Sequence, residues 1–211
     1  MNTRRKLILF RVLTVLLVGF ISLTILISFF PNSIIDTTFS EEVQEHQHPI
    51  LDSIMKGISF FGYVPAALSM VVGMAVCFYL FKLKREAAFI LLTLSSAVVS
   101  SILKIAIARP RPTEDLVRIV EKAGNQSFPS GHMLFYVVFF GFMVLLMNHL
   151  KFLSFWIRWT IANFSLMIIF AIPFSRIYLG AHWFTDVLGG FLVGLICLAI
   201  ISYAYLNKPS S

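Results

Sequence analysis

His182 and Asp186 stand four residues apart in a short polar stretch between long apolar runs. In helical backbone that spacing puts both side chains on one face. A carboxylate so placed can accept a hydrogen bond from the imidazole, fix its tautomer and leave the other ring nitrogen free to attack. Two groups that merely satisfy each other at a helix end have the same spacing, so the pair alone leaves both readings open. A second histidine, His132, closes the run Pro129-Ser130-Gly131-His132 at the expected start of a helix. The first N–H groups of a helix lack internal partners and the dipole is positive there, so phosphate binds readily. Gly131 lets a ligand approach the backbone, and His132 can give a proton to a leaving oxygen. Ser130 also suits a plain N-cap, a role that leaves His132 unexplained.

The charge such a ligand needs is supplied by Lys104, Arg111 and Arg176. Lys104 lies near the end of an apolar run, where an ionisable group is costly and usually functional, although a lysine there can also snorkel to the interface. Guanidinium forks match phosphate oxygens two at a time. Three cations, a helix N-terminus, two histidines and one carboxylate make a phosphate clamp with a nucleophile and an acid. The carboxylates are too few and scattered for a metal cluster, so no metal and no cofactor is expected.

The elements that must position these groups follow from composition. Of 211 residues, 58% are hydrophobic and 13% charged, with mean hydropathy +0.88. A soluble domain carries nearer a quarter charged residues, so the bilayer must cover this surface. A spanning helix needs roughly 20 mainly apolar residues. On that standard six runs qualify: Leu7–Phe30, Ile58–Phe81, Ala87–Ala108, Gly131–His149, Phe152–Phe174 and Phe184–Leu206. The expected fold is all-α, a polytopic six-transmembrane-helix bundle forming one domain over 1–211, with the motif-bearing core at 104–186. The first run follows Arg4, Arg5 and Lys6 but is too long for a signal peptide, and reads as an uncleaved spanning helix.

Orientation follows from the basic loops. Arg4, Arg5, Lys6, Lys82, Lys84, Arg85, Lys151, Arg158 and Lys208 fall on one side of a six-span layout, which should be cytoplasmic. The net charge of +7 is accounted for in this way and by anionic lipid on that side, which excludes nucleic acid as the partner. The opposite side holds an acidic loop, 31–57, and a short one, 175–183. Between them a loop carries Arg109, Arg111, Arg118 and Lys122 where positive charge should be sparse. An anionic ligand accounts for that exception, and the three chemistry-bearing segments all fall on this same face.

Lys104 with six residues to Arg111-Pro112, then Pro129-Ser130-Gly131-His132, then Ser175-Arg176 with five residues to His182 and three to Asp186, resembles the three-part signature of the type 2 phosphatidic acid phosphatase family. That family includes membrane lipid phosphatases and soluble vanadium haloperoxidases. The resemblance covers Lys104 to Asp186 and implies roles. His182 would be the nucleophile that forms a phosphohistidine, Asp186 would orient it, and His132 would protonate the leaving group and later activate water. Lys104, Arg111, Ser130, Gly131 and Arg176 would hold the phosphoryl oxygens. The implied substrate is a lipid phosphate in the bilayer: undecaprenyl diphosphate, phosphatidylglycerol phosphate, phosphatidic acid or diacylglycerol diphosphate. The implied place is a bacterial inner membrane with the site facing the periplasm.

Two rivals follow. A phosphotransferase of the same family would pass the phosphoryl group to a lipid acceptor. An anion or lipid transporter would also use intramembrane charge, but the charged residues cluster at one face and no inverted repeat is visible. Several residues stand outside these schemes. His46 and His48, among Glu41, Glu42 and Glu45, suit a solvated loop or short interfacial helix better than a divalent-metal site. Arg109 and Arg118 read as extra potential for an anionic headgroup, or as solvated. Cys77 and Cys197 lie in apolar runs and imply no disulfide.

Overall fold

The computed structural model describes residues 3–207 apart from 32 and 125. Among these residues all regular structure is helical. Four single helices are long and apolar enough to cross a membrane: α1 (Thr3–Phe29), α7 (Gly131–His149), α8 (Phe155–Tyr178) and α9 (Phe184–Asn207). The consecutive helices α5 (Lys84–Leu92) and α6 (Ser95–Ile107) make a fifth crossing. Two further helices, α2 (Ile34–Gln44) and α3 (Pro49–Ser59), precede α4 (Val64–Leu80). A sixth crossing exists when Pro49–Gly62 and α4 are taken together across a bend of 55°.

That bend corrects the straight span expected over Ile58–Phe81. Pro65 lacks the N–H that a helix interior needs and is tolerated only in a first turn. The chain therefore leaves helical geometry at Tyr63 (φ −69°, ψ 139°) and restarts at Val64. The third span is loosened in its middle for a different reason. The Thr93 hydroxyl donates to the Ile90 carbonyl at 2.6 Å, and the N–H groups of Thr93 and Leu94 reach back three residues instead of four. Such back-bonding competes with the regular ladder. The fifth span runs past its expected end at Phe174 to Tyr178, so Ser175 and Arg176 sit on α8 and not in a loop. The negative end of the helix dipole favours a cation there.

The hub of the bundle is α7, which is mostly buried where α1 is mostly exposed. It packs on α6, α8 and α9. The approach to α9 is close because the latter offers glycines. A Cβ at Gly190 would lie 2.5 Å from the Ser130 carbonyl oxygen, and one at Gly194 2.8 Å from Val137 Cβ. Small residues bring backbones together in this way, and the start of α7 is thereby held beside the start of α9. On the periphery Phe10, Val15, Ile105, Trp156 and Phe170 are exposed, as lipid-facing side chains are. The chain is an integral membrane protein.

The stretch expected as an acidic loop is mostly helix and is tied down. Gln44 Nε2 donates to the carbonyls of Arg118 (2.8 Å) and Tyr178 (2.9 Å), while its Oε1 accepts from the Arg118 N–H at 3.0 Å. Asp52 accepts from Arg118 at 2.8 Å and from the Tyr178 hydroxyl at 2.7 Å. The segment from α2 to α3 is thus fastened to the long loop after α6 and to the end of α8. The far end of the bundle carries Arg4, Lys6, Lys82, Lys84, Arg85, Lys151 and Arg158, as the loop charges implied; Lys208 lies outside the described residues.

Candidate active site

Element ends deliver the polar groups to one place. In the last turn of α6, Lys104 Nζ donates to the Gln126 carbonyl at 2.9 Å. Arg111, in the following loop, donates from Nε to the Gly124 carbonyl (3.1 Å) and from Nη1 to the Ala181 carbonyl (2.5 Å). Its Nη1 also stands 3.3 Å from His182 Nε2. From the last turn of α8, Arg176 donates to Ser59 Oγ (2.9 Å) and to Glu121 Oε1 (3.1 Å). Gly131 and His132 open α7. Lys104, Arg111, Gly131, His132, Arg176 and His182 all line one cavity of about 470 Å³.

Of the expected residues, Ser130 and Asp186 are not on that wall. Ser130 is fully buried, and its hydroxyl accepts from the Met133 N–H at 3.5 Å as the N-cap of α7. Asp186 stands behind His182. Because α9 begins only at Phe184, His182 precedes the helix, and the two side chains do not meet by helical periodicity. Asp186 instead folds back: its carboxylate accepts the Trp183 N–H at 2.9 Å, and its own N–H donates to the Trp183 carbonyl at 3.1 Å. The carboxylate reaching back three residues to a backbone N–H is one half of a capping box. It leaves Asp186 Oδ2 3.5 Å from His182 Nδ1. The Ser127 hydroxyl donates to the same Oδ2 and lies 3.5 Å from Nδ1.

The two nitrogens of His182 therefore have different surroundings. Nδ1 faces a carboxylate and Nε2 faces the cavity. A proton held on Nδ1 leaves a lone pair on Nε2, where Arg111 donates. His182 is 2% exposed. Burial first, then the charges of Arg111, Arg176 and Lys104, push its pKa well below the ordinary imidazole value, so the ring is neutral. Across the cavity the ring of His132 lies against the chain bend. A Cβ at Gly62 would fall 2.2 Å from its Cδ2, and the Tyr63 ring meets it edge-on with centroids 5.3 Å apart. His132 Nε2 is buried and makes no hydrogen bond among the described residues. A buried polar atom without a partner asks for one, and a substrate oxygen in the cavity would serve.

Other polar residues at this end were not legible as part of the site. Arg109 is neither solvated nor turned to a headgroup. It is 3% exposed and donates to Asp36 at 2.8 Å and to Asp186 at 2.7 Å. Arg118 is spoken for by Asp52 and Gln44. Of the four basic residues in the 109–122 loop, only Arg111 and Lys122 line the cavity. Glu121 lines it too, pairing with Arg176 and accepting the Tyr63 hydroxyl at 2.5 Å. The Arg109-Pro-Arg111-Pro doublet was a usable signal for Arg109; Asp36, Ser127 and Glu121 carry none in local sequence. His48 caps α3 by accepting the Ile50 N–H at 3.2 Å, and His46 is exposed beside Glu45 at 3.8 Å.

Residues 85–210 match the model of the PAP2 superfamily. The chain belongs to that family. Its PAP2 relatives include phosphatidylglycerophosphatase B of Bacillus subtilis, 31% identical over 173 residues, covering 79% of this chain and 81% of that one. Lipid A 4'-phosphatase of Porphyromonas gingivalis is 32% identical over 180 residues, covering 78% and 70%. Among solved structures, a transmembrane PAP2-type phosphatidylglycerolphosphate phosphatase from Bacillus subtilis superposes with a TM-score of 0.79 at 26% identity, over 93% of this chain and 97% of that chain. LpxE of Aquifex aeolicus shares the fold, with a TM-score of 0.62 at 22% identity over 82% and 97%. The expected family and the helical membrane fold are both found, and the lipid phosphatase reading agrees with the names of both sequence relatives.

Proposed function

We propose that this PAP2 chain hydrolyses a phosphate ester of a lipid through a phosphohistidine on His182, without a metal, at the outer face of the membrane. The two-sided setting of His182 is the main support. Its Nε2 faces a cavity lined by Lys104, Arg111 and Arg176, and Asp186 stands behind Nδ1. Fixed cations and the N–H groups at the start of α7 supply the charge stabilisation that a metal ion would otherwise give to a transferring phosphoryl group.

In the first step Nε2 attacks phosphorus and the bond from phosphorus to the lipid oxygen breaks. His132 gives that oxygen a proton, and the positive charge developing on the His182 ring is met by Asp186. In the second step water attacks the phosphohistidine, His132 takes the water proton, and the N–P bond breaks to release inorganic phosphate. The cavity also has an apolar side, with Val64, Ala67, Leu68, Leu94, Ala97 and Phe135 on the spanning helices. That side suits the first methylenes of a lipid tail whose phosphate reaches the cations. The relatives' names put glycerophospholipid and lipid A phosphates among the substrates to try, beside undecaprenyl diphosphate and phosphatidic acid. The outer-face assignment rests on the basic residues of the opposite end, and a bacterial inner membrane fits the relatives' sources.

The test is phosphate release in detergent from a panel of lipid mono- and diphosphates with EDTA present, wild type beside His182→Ala. EDTA-resistant release that the mutation abolishes is expected. Release that survives the mutation removes His182 as nucleophile, and no release from any lipid turns the reading towards phosphotransfer or transport. Labelling of Thr113→Cys and Lys151→Cys by an impermeant maleimide in intact cells should mark only the first.

A further inference from the structure

Behind Asp186 lies a second buried layer that the mechanism above does not use. Arg109 Nη1 donates to Asp186 Oδ1 at 2.7 Å and to Thr185 Oγ1 at 2.6 Å. Its Nη2 donates to Asp36 Oδ2 at 2.8 Å and to the Pro31 carbonyl at 2.7 Å. Asp36, from the first turn of α2, also accepts the Thr185 N–H and the Thr185 hydroxyl, each at 2.8 Å. Asp36, Arg109, Thr185 and Asp186 are all at most 3% exposed. Such a network is expensive to assemble and is retained only when its members satisfy one another.

We propose that Arg109, gripped by Asp36, is a positioning residue that fixes the plane and the effective charge of Asp186 behind the nucleophile. The inference rests on the phosphohistidine reading for its purpose, though not for its geometry. Asp186 has one oxygen for Arg109 and one for the His182 side, where Ser127 and the Trp183 N–H also donate. A fork that binds Oδ1 from behind turns Oδ2 towards Nδ1. A lone guanidinium at that distance would also cancel much of the negative charge that Asp186 must offer to the ring. Asp36 answers that problem: the order carboxylate, guanidinium, carboxylate leaves one net negative charge. This arrangement works like the hydrogen-bonded carboxylate that orients a metal-bound histidine.

The groups facing His182 are Lys104 from α6, Arg111 and Ser127 from the loop, His132 from α7, Arg176 from α8 and Asp186 from α9. Removing the charge of Asp36 leaves Arg109 uncompensated and adds positive potential behind the ring. Protonation of His182 then becomes harder, and so does the positive charge of the phosphohistidine transition state.

The experiment uses the full chain in detergent, with Asp36→Asn, Asp36→Glu and Arg109→Lys beside wild type. The titration of the His182 ring is followed by NMR on histidine-labelled protein, which needs no substrate. Phosphate release is followed with phosphatidic acid. Asp36→Asn should move the ring titration to lower pH and lower kcat by about 10-fold, with KM within about twofold. Asp36→Glu should restore the titration and part of kcat. Arg109→Lys, which keeps charge but loses the fork, should lower kcat at a near wild-type titration. An unmoved titration with Asp36→Asn overturns the proposal, whether kcat falls through lost stability or stays unchanged. Should Asp36→Asn not fold, Thr185→Val deletes only the neutral bridging hydroxyl and must lower kcat in smaller measure at a near wild-type titration, as Arg109→Lys does; an unchanged kcat is equally decisive. If wild type releases no phosphate, the titration still tests the network while the proposed hydrolysis fails separately.

Discussion

At one end of the bundle Arg176 pairs with Glu121, whose carboxylate takes the Tyr63 hydroxyl at 2.5 Å. At the other end Glu86 takes the Tyr205 hydroxyl at 2.8 Å, and Arg85 lies over the Tyr205 ring, 4.3 Å from its centroid. The same three residue types meet in both places. At the far end Phe89, Phe142 and His149 close edge-on around Tyr205, and the cluster joins helix ends. At the motif end the trio borders the cavity, and Lys104, Arg111, Lys122 and Arg176 face it with Glu121 as the one acid among the described residues. An arginine, a tyrosine and a carboxylate are therefore not a site in themselves. A cavity lined by an excess of one charge is what suits them to a ligand of the other charge.

Substitutions at the two ends should separate on that basis. His132→Ala should produce the largest loss among them, about 10²- to 10⁴-fold in kcat, as removal of a proton donor does; rapid-quench kinetics would place the loss in turnover and not in binding. Gly62→Ala comes next, because the added Cβ would meet the His132 ring at 2.2 Å. Displacement of the ring should lower kcat by roughly 10-fold, with thermal stability measured in parallel to exclude a folding defect. The pH profile is a subtler probe. Since the His182 pKa is depressed, the ring stays neutral below the ordinary imidazole range, and on the proposed mechanism the acid limb of kcat/KM should lie below about pH 6.5. An acid limb above that value would mean that burial and the three cations do not govern the ring. Smallest of all, Tyr205→Phe should leave kcat within about twofold while costing about 1 kcal/mol of stability for the lost hydrogen bond to Glu86, read from a denaturation midpoint.

Sequence spacing exposed the front of the site better than its back. Lys104, Arg111, His132, Arg176 and His182 stand out because charge at the end of an apolar run has few structural reasons, and all of them reach the cavity wall. Ser130 was ambiguous between ligand contact and N-cap, and its hydroxyl caps α7. Asp36 and Gln44 were hidden in the acidic 31–57 loop because a partner more than seventy residues away leaves no periodic trace. Arg109 was visible as a charge on the wrong side of the membrane, but its inward turn depends on Asp36 being there to receive it. Helix ends went astray where proline chemistry competes with apolar length: Pro65 broke a span that hydropathy made continuous.

The hydrogen bonds from Thr185 to Asp36 join residues 149 apart. A chain made from its N-terminus and laid into the membrane helix by helix must therefore hold the Asp36 carboxylate without its final partner through almost the whole of synthesis. Products that stop short of α9 lack Thr185 and Asp186, two of the groups that enclose the Asp36–Arg109 pair. Premature release thus leaves the Asp36–Arg109 pair open on the side that Thr185 and Asp186 close in the finished chain.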